Sequence, residues 1–311
     1  MPTAMRKKNQ LLCAKIESVY DSDSIPVVGT DSLLCIDPKI KEIVDPVRRP
    51  AQIASLSRIA SVAGKKYAEV TFTVELKGSG TAGVAPRIGA LLKACGFSET
   101  VISTTSVTYL PTSSSFGSVT IYLFIDGRRH VVTGARGDVK IKCEAGQMAM
   151  AEFTMRGRYA DPTLVALSSP TLESTTPQVC KSCTFTYNSR TTLVVKAAEV
   201  EMNNTLAERP SLNDANAIAG FEITGRDPML TIDPEAIIET SYNFRSDALG
   251  GNLRAISWVV GASAGNIMTF SIPKFNAYWP EYEDRDEILV EKIKGECCQN
   301  SGNDEVSIAF T

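Results

Sequence analysis

The sequence predicts a mainly β protein of two tandem β-sandwich or half-barrel modules, each with one short helix, related by internal duplication. Three observations carry this expectation. Short runs alternate apolar and polar residues and stop at Gly-rich, Asp-Gly or Ala-Gly turns. Helix punctuation, a proline at the first turn, marks just one segment in each half. The order strand, loop, strand, helix, hairpin, hairpin also occurs twice, at offsets drifting from 159 to 136 residues. A length of 311 residues suits about two domains. They are placed at residues 1–165 and 191–311, with a Ser/Thr/Pro-rich linker over 166–190.

In the first half, Ala68–Leu76 puts Val70, Phe72, Val74 and Leu76 on one face and stops at Gly78-Ser-Gly80. Pro86–Cys95 reads as a helix closed by Gly96. Ser118–Ile125 runs into Asp126-Gly127, a hairpin signal, and returns through His130–Thr133. Val139–Cys143 turns at Ala145-Gly146 into Ala149–Gly157. In the second half, strands are expected at Leu193–Ala197 and Ile218–Ile223, then a helix at Asp233–Glu239 with Pro234 at its start. A hairpin follows, Ala255–Val260 with Ile267–Ile272 around Ala264-Gly265-Asn266, and a last one pairs Lys274–Tyr278 with Ile288–Lys294.

Composition excludes several functions. With 32 Lys+Arg against 35 Asp+Glu the net charge is −3, which argues against a gripped nucleic acid. The single histidine, His130, rules out a multi-histidine metal site and reads as a polar hairpin tip beside Arg128 and Arg129. No apolar stretch reaches the roughly 7–15 residues of a secretory core or the about 20 of a membrane span. The expectation is synthesis in a cytoplasm, without insertion in a membrane. Cys180-x-x-Cys183 and Cys297-Cys298 lack the paired spacing of a zinc site and read as reduced bystander thiols. Gly78, Gly80 and Gly83 match G-x-G-x-x-G without the βαβ context of a nucleotide fold, and so read as a flexible turn. Arg136-Gly137-Asp138 is a chance tripeptide at a strand start. The acidic run Glu281–Glu287 lacks the spacing of a calcium loop and reads as a solvated or interfacial loop. No catalytic constellation and no cofactor site emerges.

Two long segments resist assignment to a core. Ile43–Lys66 carries Arg48, Arg49, Ile53, Leu56, Arg58, Ile59, Lys65 and Lys66, with apolar residues too sparse to fold alone. Glu199–Ala217 fills the same slot in the second half. Both are expected to be arms that order against another subunit. Residues 1–66 hold eleven Lys or Arg against seven Asp or Glu, whereas residues 275–311 hold three against nine. Such a chain suits head-to-tail stacking.

Several runs resemble the major tail tube protein of long non-contractile-tailed bacteriophages (siphovirus type): Asn9–Ser18, Val74–Pro86, Leu91–Thr100, Val107–Pro111, Phe116–Tyr122, Val132–Asp138 and Met155–Tyr159. The likeness is close over about residues 9–165 and looser beyond, and residues 275–311 depart from it in being rich in acid and cysteine. The resemblance implies β-modules whose inner sheets join into rings, stacked as a tube for genome DNA in a virion tail. The segment Ile43–Lys66 then becomes the inter-ring arm, and the duplication implies homotrimeric rings with pseudo-six-fold symmetry. Expected partners are further copies, the tail terminator and tip proteins, a tape measure protein in the lumen, and DNA in transit without specific binding. Glu75, Glu144 and Glu152 are candidates to face the bore. The rival readings are an exported or pilus-like β-subunit, which the missing signal segment opposes, and an enzyme on a β-scaffold using His130 or Cys180.

Overall fold

The computed structural model describes residues 4–238 and 241–311. It is mainly β, with antiparallel pairing throughout and two short helices. No closed barrel forms among the described residues. In the first half, β3 (Cys35–Val47), β4 (Val62–Glu75), β9 (Met150–Leu164), β8 (Arg128–Glu144), β7 (Val119–Ile125) and β1 (Gln10–Ile16) lie side by side in that order. In the second half the spatial order is β11 (Val195–Glu201), β14 (Met229–Pro234), β18 (Ile288–Cys298), β16 (Met268–Ala277), β15 (Arg254–Val260), β10 (Thr186–Tyr187). The two sequences of neighbours correspond strand for strand. A helix follows the second or third member of each in chain order: α1 (Gly89–Ala94) after β4, and α2 (Phe244–Gly250) after β14.

Strands weld the halves at three places among the described residues. First, β11 pairs with the distal end of β8, Glu201 opposite Lys140 and Ala197 opposite Glu144. Second, β19 (Ser307–Phe310) lies between β16 and β6 (Ser106–Pro111), which itself pairs with β5 (Phe97–Ile102). Third, a separate hairpin of β12 (Thr205–Pro210) and β13 (Ile218–Gly225) is laid across the first half. There the buried Phe221 ring meets Tyr67 at 5.4 Å.

The core follows from alternation. Val70, Phe72 and Val74 of β4 face inward with Ala151, Phe153 and Met155 of β9, and the Phe72 and Phe153 rings stack at 5.5 Å. Leu91 and Leu92 of α1 are buried in the same core, against β1, β5 and β8. In the second half Tyr187 is enclosed by Tyr242, Phe244 and Phe275. Each such aromatic stabilises by about 1.5–3 kcal/mol through burial.

Several expectations need correction. The helix expected at Asp233–Glu239 is strand at its start, and Glu239 lies outside the described residues. Asp233 does not cap a helix. Its carboxylate accepts the Lys196 and Ala197 backbone N–H groups at 3.0 and 2.6 Å and so secures β11. The helix begins eleven residues later, where the Asn243 side chain accepts from Ser246 N and Gly251 closes the end at φ 59°. The last hairpin is also displaced: Lys274–Ala277 pairs with Gly295–Cys298, and Ile288–Lys292 pairs with the acidic run, which is strand β17 (Glu281–Arg285). Ile43–Lys66 is no structureless loop. β3 and β4 continue as a ladder to Val47 opposite Val62, leaving a tip of residues 48–61. Glu199–Ala217 likewise folds within this chain as β11, β12 and their connections.

His130 is not a tip residue. It is buried in β8, its Nδ1 3.0 Å from the Tyr159 hydroxyl and 3.3 Å from Glu42. Burial lowers its pKa, opposed by Glu42. The folded chain therefore favours neutral imidazole, and this contribution to stability is complete above the ordinary value of about 6.5 and lost as pH falls below it. Between pH 7.5 and 5.5 the wild type should lose more melting temperature than His130→Gln; equal losses in the two proteins would refute this.

Candidate functional site

Through the β8–β11 joint, eight strands form one continuous wall, in the order β3-β4-β9-β8-β11-β14-β18-β16. Strand residues alternate between faces. One face is the core. The other carries Glu69, Thr71, Thr73 and Glu75 of β4, Glu152, Thr154 and Arg156 of β9, and Asp138, Lys140, Lys142 and Glu144 of β8. Across the joint it continues with Glu199 and Glu201, Thr231, Lys294 and Glu296, and Asn276. Glu75, Glu144 and Glu152 thus share a single polar face, as their strand positions require.

The cations on this face already have partners. Arg156 Nε lies 2.8 Å from Glu69, and Lys140 Nζ lies 2.7 and 2.9 Å from Glu199 and Glu201. Lys142 and Lys196 share Glu144 at 2.7 and 3.3 Å. The hydrogen bond from Lys142 holds the Glu144 carboxyl below the usual range. Burial disfavours the Lys140 ammonium, but the bonds to Glu199 and Glu201 outweigh it and raise its pKa. Each of these cations has a carboxylate beside it, which leaves little unmatched positive charge on this surface.

Both ends of the wall are unfinished. Among the described residues β3 pairs with β4 on one side and with no strand on the other, although the short β2 (Ser32–Leu33) just before it pairs with β1 and keeps the first residues of β3 near β1. β16 continues past its last pairing with β15, at Phe275, so that Asn276 and Ala277 pair with β18 alone. This open side of β16 is the side on which β8, in the first half, receives β11. Exposed apolar residues mark both edges: Leu34 and Ile36 beside β3, Tyr278 and Trp279 after β16. Open edges of this kind invite pairing with another chain.

The arm residues divide into two groups. Arg48, Arg49, Ile53, Leu56, Arg58 and Ile59 lie in the tip, with Leu56 fully exposed. Lys65 and Lys66 stand within β4 and are engaged inside the chain. Lys65 Nζ reaches Glu208 at 2.5 Å, while Lys66 pairs with Asp161 and lies over the Tyr159 ring at 4.9 Å. They help to pin β12–β13, whose Asn216 carbonyl accepts Lys66 N at 3.1 Å.

Sequence reasoning missed the roles of two motifs. The Gly78–Gly83 turn is a clasp rather than a free loop: Gly78 N donates to Asn266 Oδ1 at 2.7 Å and Gly80 N to Gly265 O at 3.0 Å. A Cβ on Gly78 would sit 2.1 Å from Gly265 O. Arg136, from the chance tripeptide, is buried and reaches the carbonyls of Gly117, Phe221 and Phe116 at 3.2, 3.1 and 3.1 Å, with Glu222 at 2.5 Å. Its guanidinium lies 4.6 Å from the Tyr20 ring. Five donors in one plane satisfy four acceptors drawn from both halves.

A cavity of about 380 Å³ beside the joint is lined by Cys143, Cys180, Cys183, Phe185 and Trp258. The hydrogen bond with Cys143, together with burial, pushes the Cys180 thiol up to about 12. Cys183 rises too, from its bond with Cys180 and from burial. Neither is a thiolate nucleophile at neutral pH. Among the described residues no group of three His, Cys, Asp or Glu is arranged to hold a metal ion, and no helix is long and apolar enough to cross a membrane.

A family model described as phage tail tube protein matches residues 8–311. No curated protein matches the chain.

Proposed function

The chain belongs to the phage tail tube protein family and is a structural component of the virion tail, and from that premise we propose that three copies close into a ring, that rings stack into a tube, and that the polar face of the eight-stranded wall lines its bore. The observation that carries this reading is the pair of unfinished edges. Inside one chain, β8 already receives β11. Between chains, the open side of β16 receives β3 of the next copy in the same manner. The shared strand order of the halves supports reading them as two copies of one module joined by a linker, with β10 placing the start of the second copy inside the 166–190 segment rather than at residue 191. A ring of three chains then has six similar sectors.

The bore so formed offers paired charges to passing DNA and no unmatched basic stripe, which suits a conduit for genome ejection. A tape measure protein would occupy the lumen during assembly, and tail terminator and tip proteins would cap the stack. These partners, and the siphovirus type of tail, are what the resemblance of residues 9–165 implies. Native mass measurement together with electron microscopy tests the proposal. Trimers, and tubes at higher protein concentration, are expected. Hexamers as the ring unit, or monomers at every concentration and salt, would overturn it.

A further inference from the structure

The two ends of the wall carry opposite chemistry. Following the ladder, Glu75 of β4 lies opposite Met150, at the end where β8 turns into β9. Val62 lies at the other end of β4, thirteen residues away, or roughly 40 Å along an extended strand. The tip 48–61 therefore projects from the end opposite the β8–β9 turn. The registers of β11, β14 and β18 place the β17–β18 turn at the same end as the β8–β9 turn, because Ile232 pairs with Ile293 and Ala197 with Glu144.

From Pro46 to Ala68 there is no acidic residue. Arg48, Arg49 and Arg58 surround a hollow of about 390 Å³, with Pro46, Pro50 and Ile59. None of these arginines has an ion-pair partner among the described residues, and Ile53, Leu56, Val47 and Val62 are exposed beside them. At the far end, β17–β18 presents Glu281, Glu283, Asp284, Asp286 and Glu287 around exposed Trp279, Tyr282, Ile288 and Leu289. Glu283 is matched by Lys292 at 2.8 Å, whereas Glu281, Asp286 and Glu287 have no cationic partner among the described residues. Asp286 and Glu287 both hold positive φ, 52° and 67°, the geometry of a tight two-residue hairpin turn that keeps these carboxylates at the apex.

Each device occurs once per chain. The place matching the tip in the second half is the short turn 211–217, and the place matching β17–β18 in the first half is the turn 145–149. Any ring of this chain thus shows equal numbers of basic tips on one face and acidic hairpins on the other.

We propose that the arginine tip of one copy docks on the β17–β18 hairpin of a copy in the adjoining ring, its guanidiniums on Glu281, Asp286 and Glu287, with Ile53 and Leu56 covering the neighbouring apolar side chains. This rests on the ring reading above and adds the identity of the receptor. Charge pairs of this kind set register and exclude the reversed stacking, in which tip would face tip.

The test is a charge swap in the full chain. Arg48→Glu with Arg49→Glu and Arg58→Glu should keep the ring mass of the wild type and give tubes about tenfold shorter or fewer. Glu281→Lys with Asp286→Lys and Glu287→Lys should do the same. The chain carrying all six changes should regain tubes. Either triple variant polymerising as the wild type does, or failure of the six-fold variant to recover, would overturn the docking. Ring mass and melting temperature measured on each variant separate this from misfolding. Wild-type protein that forms no rings would instead overturn the ring reading.

Discussion

In the proposed ring, replacing Cys35 by proline is expected to abolish closure while leaving the folded monomer. Leu76 N donates to Ala149 O, so the even-numbered residues of β4 near it bond toward β9 and the odd-numbered ones toward β3. Thr73 pairs with Ile36, which puts the Ile36 bonds on β4 and turns the Cys35 N–H away from β4, toward the hollow it shares with Gln10 of β1. The second half shows what such a group does when it is satisfied. Met202 N donates to Val139 O, and Val200, two residues before it, faces β8 likewise. Proline removes that outward donor and adds a ring where the partner strand would lie. Cys35→Ala, which keeps the N–H, should close rings as the wild type does. Native mass spectrometry should show the proline variant as monomer, with a melting temperature within several degrees of the wild type. Trimers of the proline variant would show that β3 does not make the seam.

The second large effect is expected at Arg136. Arg136→Met keeps the volume and removes the fork that gathers three backbone carbonyls and Glu222. Removing the guanidinium leaves enclosed carbonyls without their donor, which costs about 1–3 kcal/mol, while Glu222 stays partly exposed and near Arg209. The loss should be concentrated in β12–β13, which Arg136 and Tyr20 jointly hold: Tyr20 accepts from Phe221 N at 2.8 Å. Amide exchange over Ile218–Gly225 should quicken more than over the β4–β9 ladder. Arg136→Lys should recover only part of the loss, since an ammonium cannot fork. A denaturation midpoint unchanged in Arg136→Met would remove this residue from the account.

Local physics explains which parts of the architecture were legible in the sequence. Val70, Phe72 and Val74 alternate because one face of β4 is core, and Asp126-Gly127 adopts positive φ at both positions, as its composition foretold. Glu75, Glu144 and Glu152, named in the sequence only for their place on hairpins, fall on one polar face of the folded wall. Strands exposed on both faces leave no such trace. Ile43–Val47 includes Pro46, and β17 is almost wholly charged, so neither shows a period of two. Asp233-Pro234 fits a helix start equally well until the backbone of β11 is brought beside it. The clasp at Gly78 and the contact of Arg136 with Phe221 join residues more than eighty positions apart, and no window of sequence contains both partners.

The β8–β11 ladder is made within a single polypeptide. Two surfaces tethered by a short linker meet at effective concentrations in the millimolar range, whatever the number of chains in solution. In a closed circle of three, half of the seams would then cost no translational entropy, and the threshold concentration for nucleating a first circle would fall accordingly. Cutting the linker while keeping both halves folded would restore that cost and make nucleation steeply dependent on dilution.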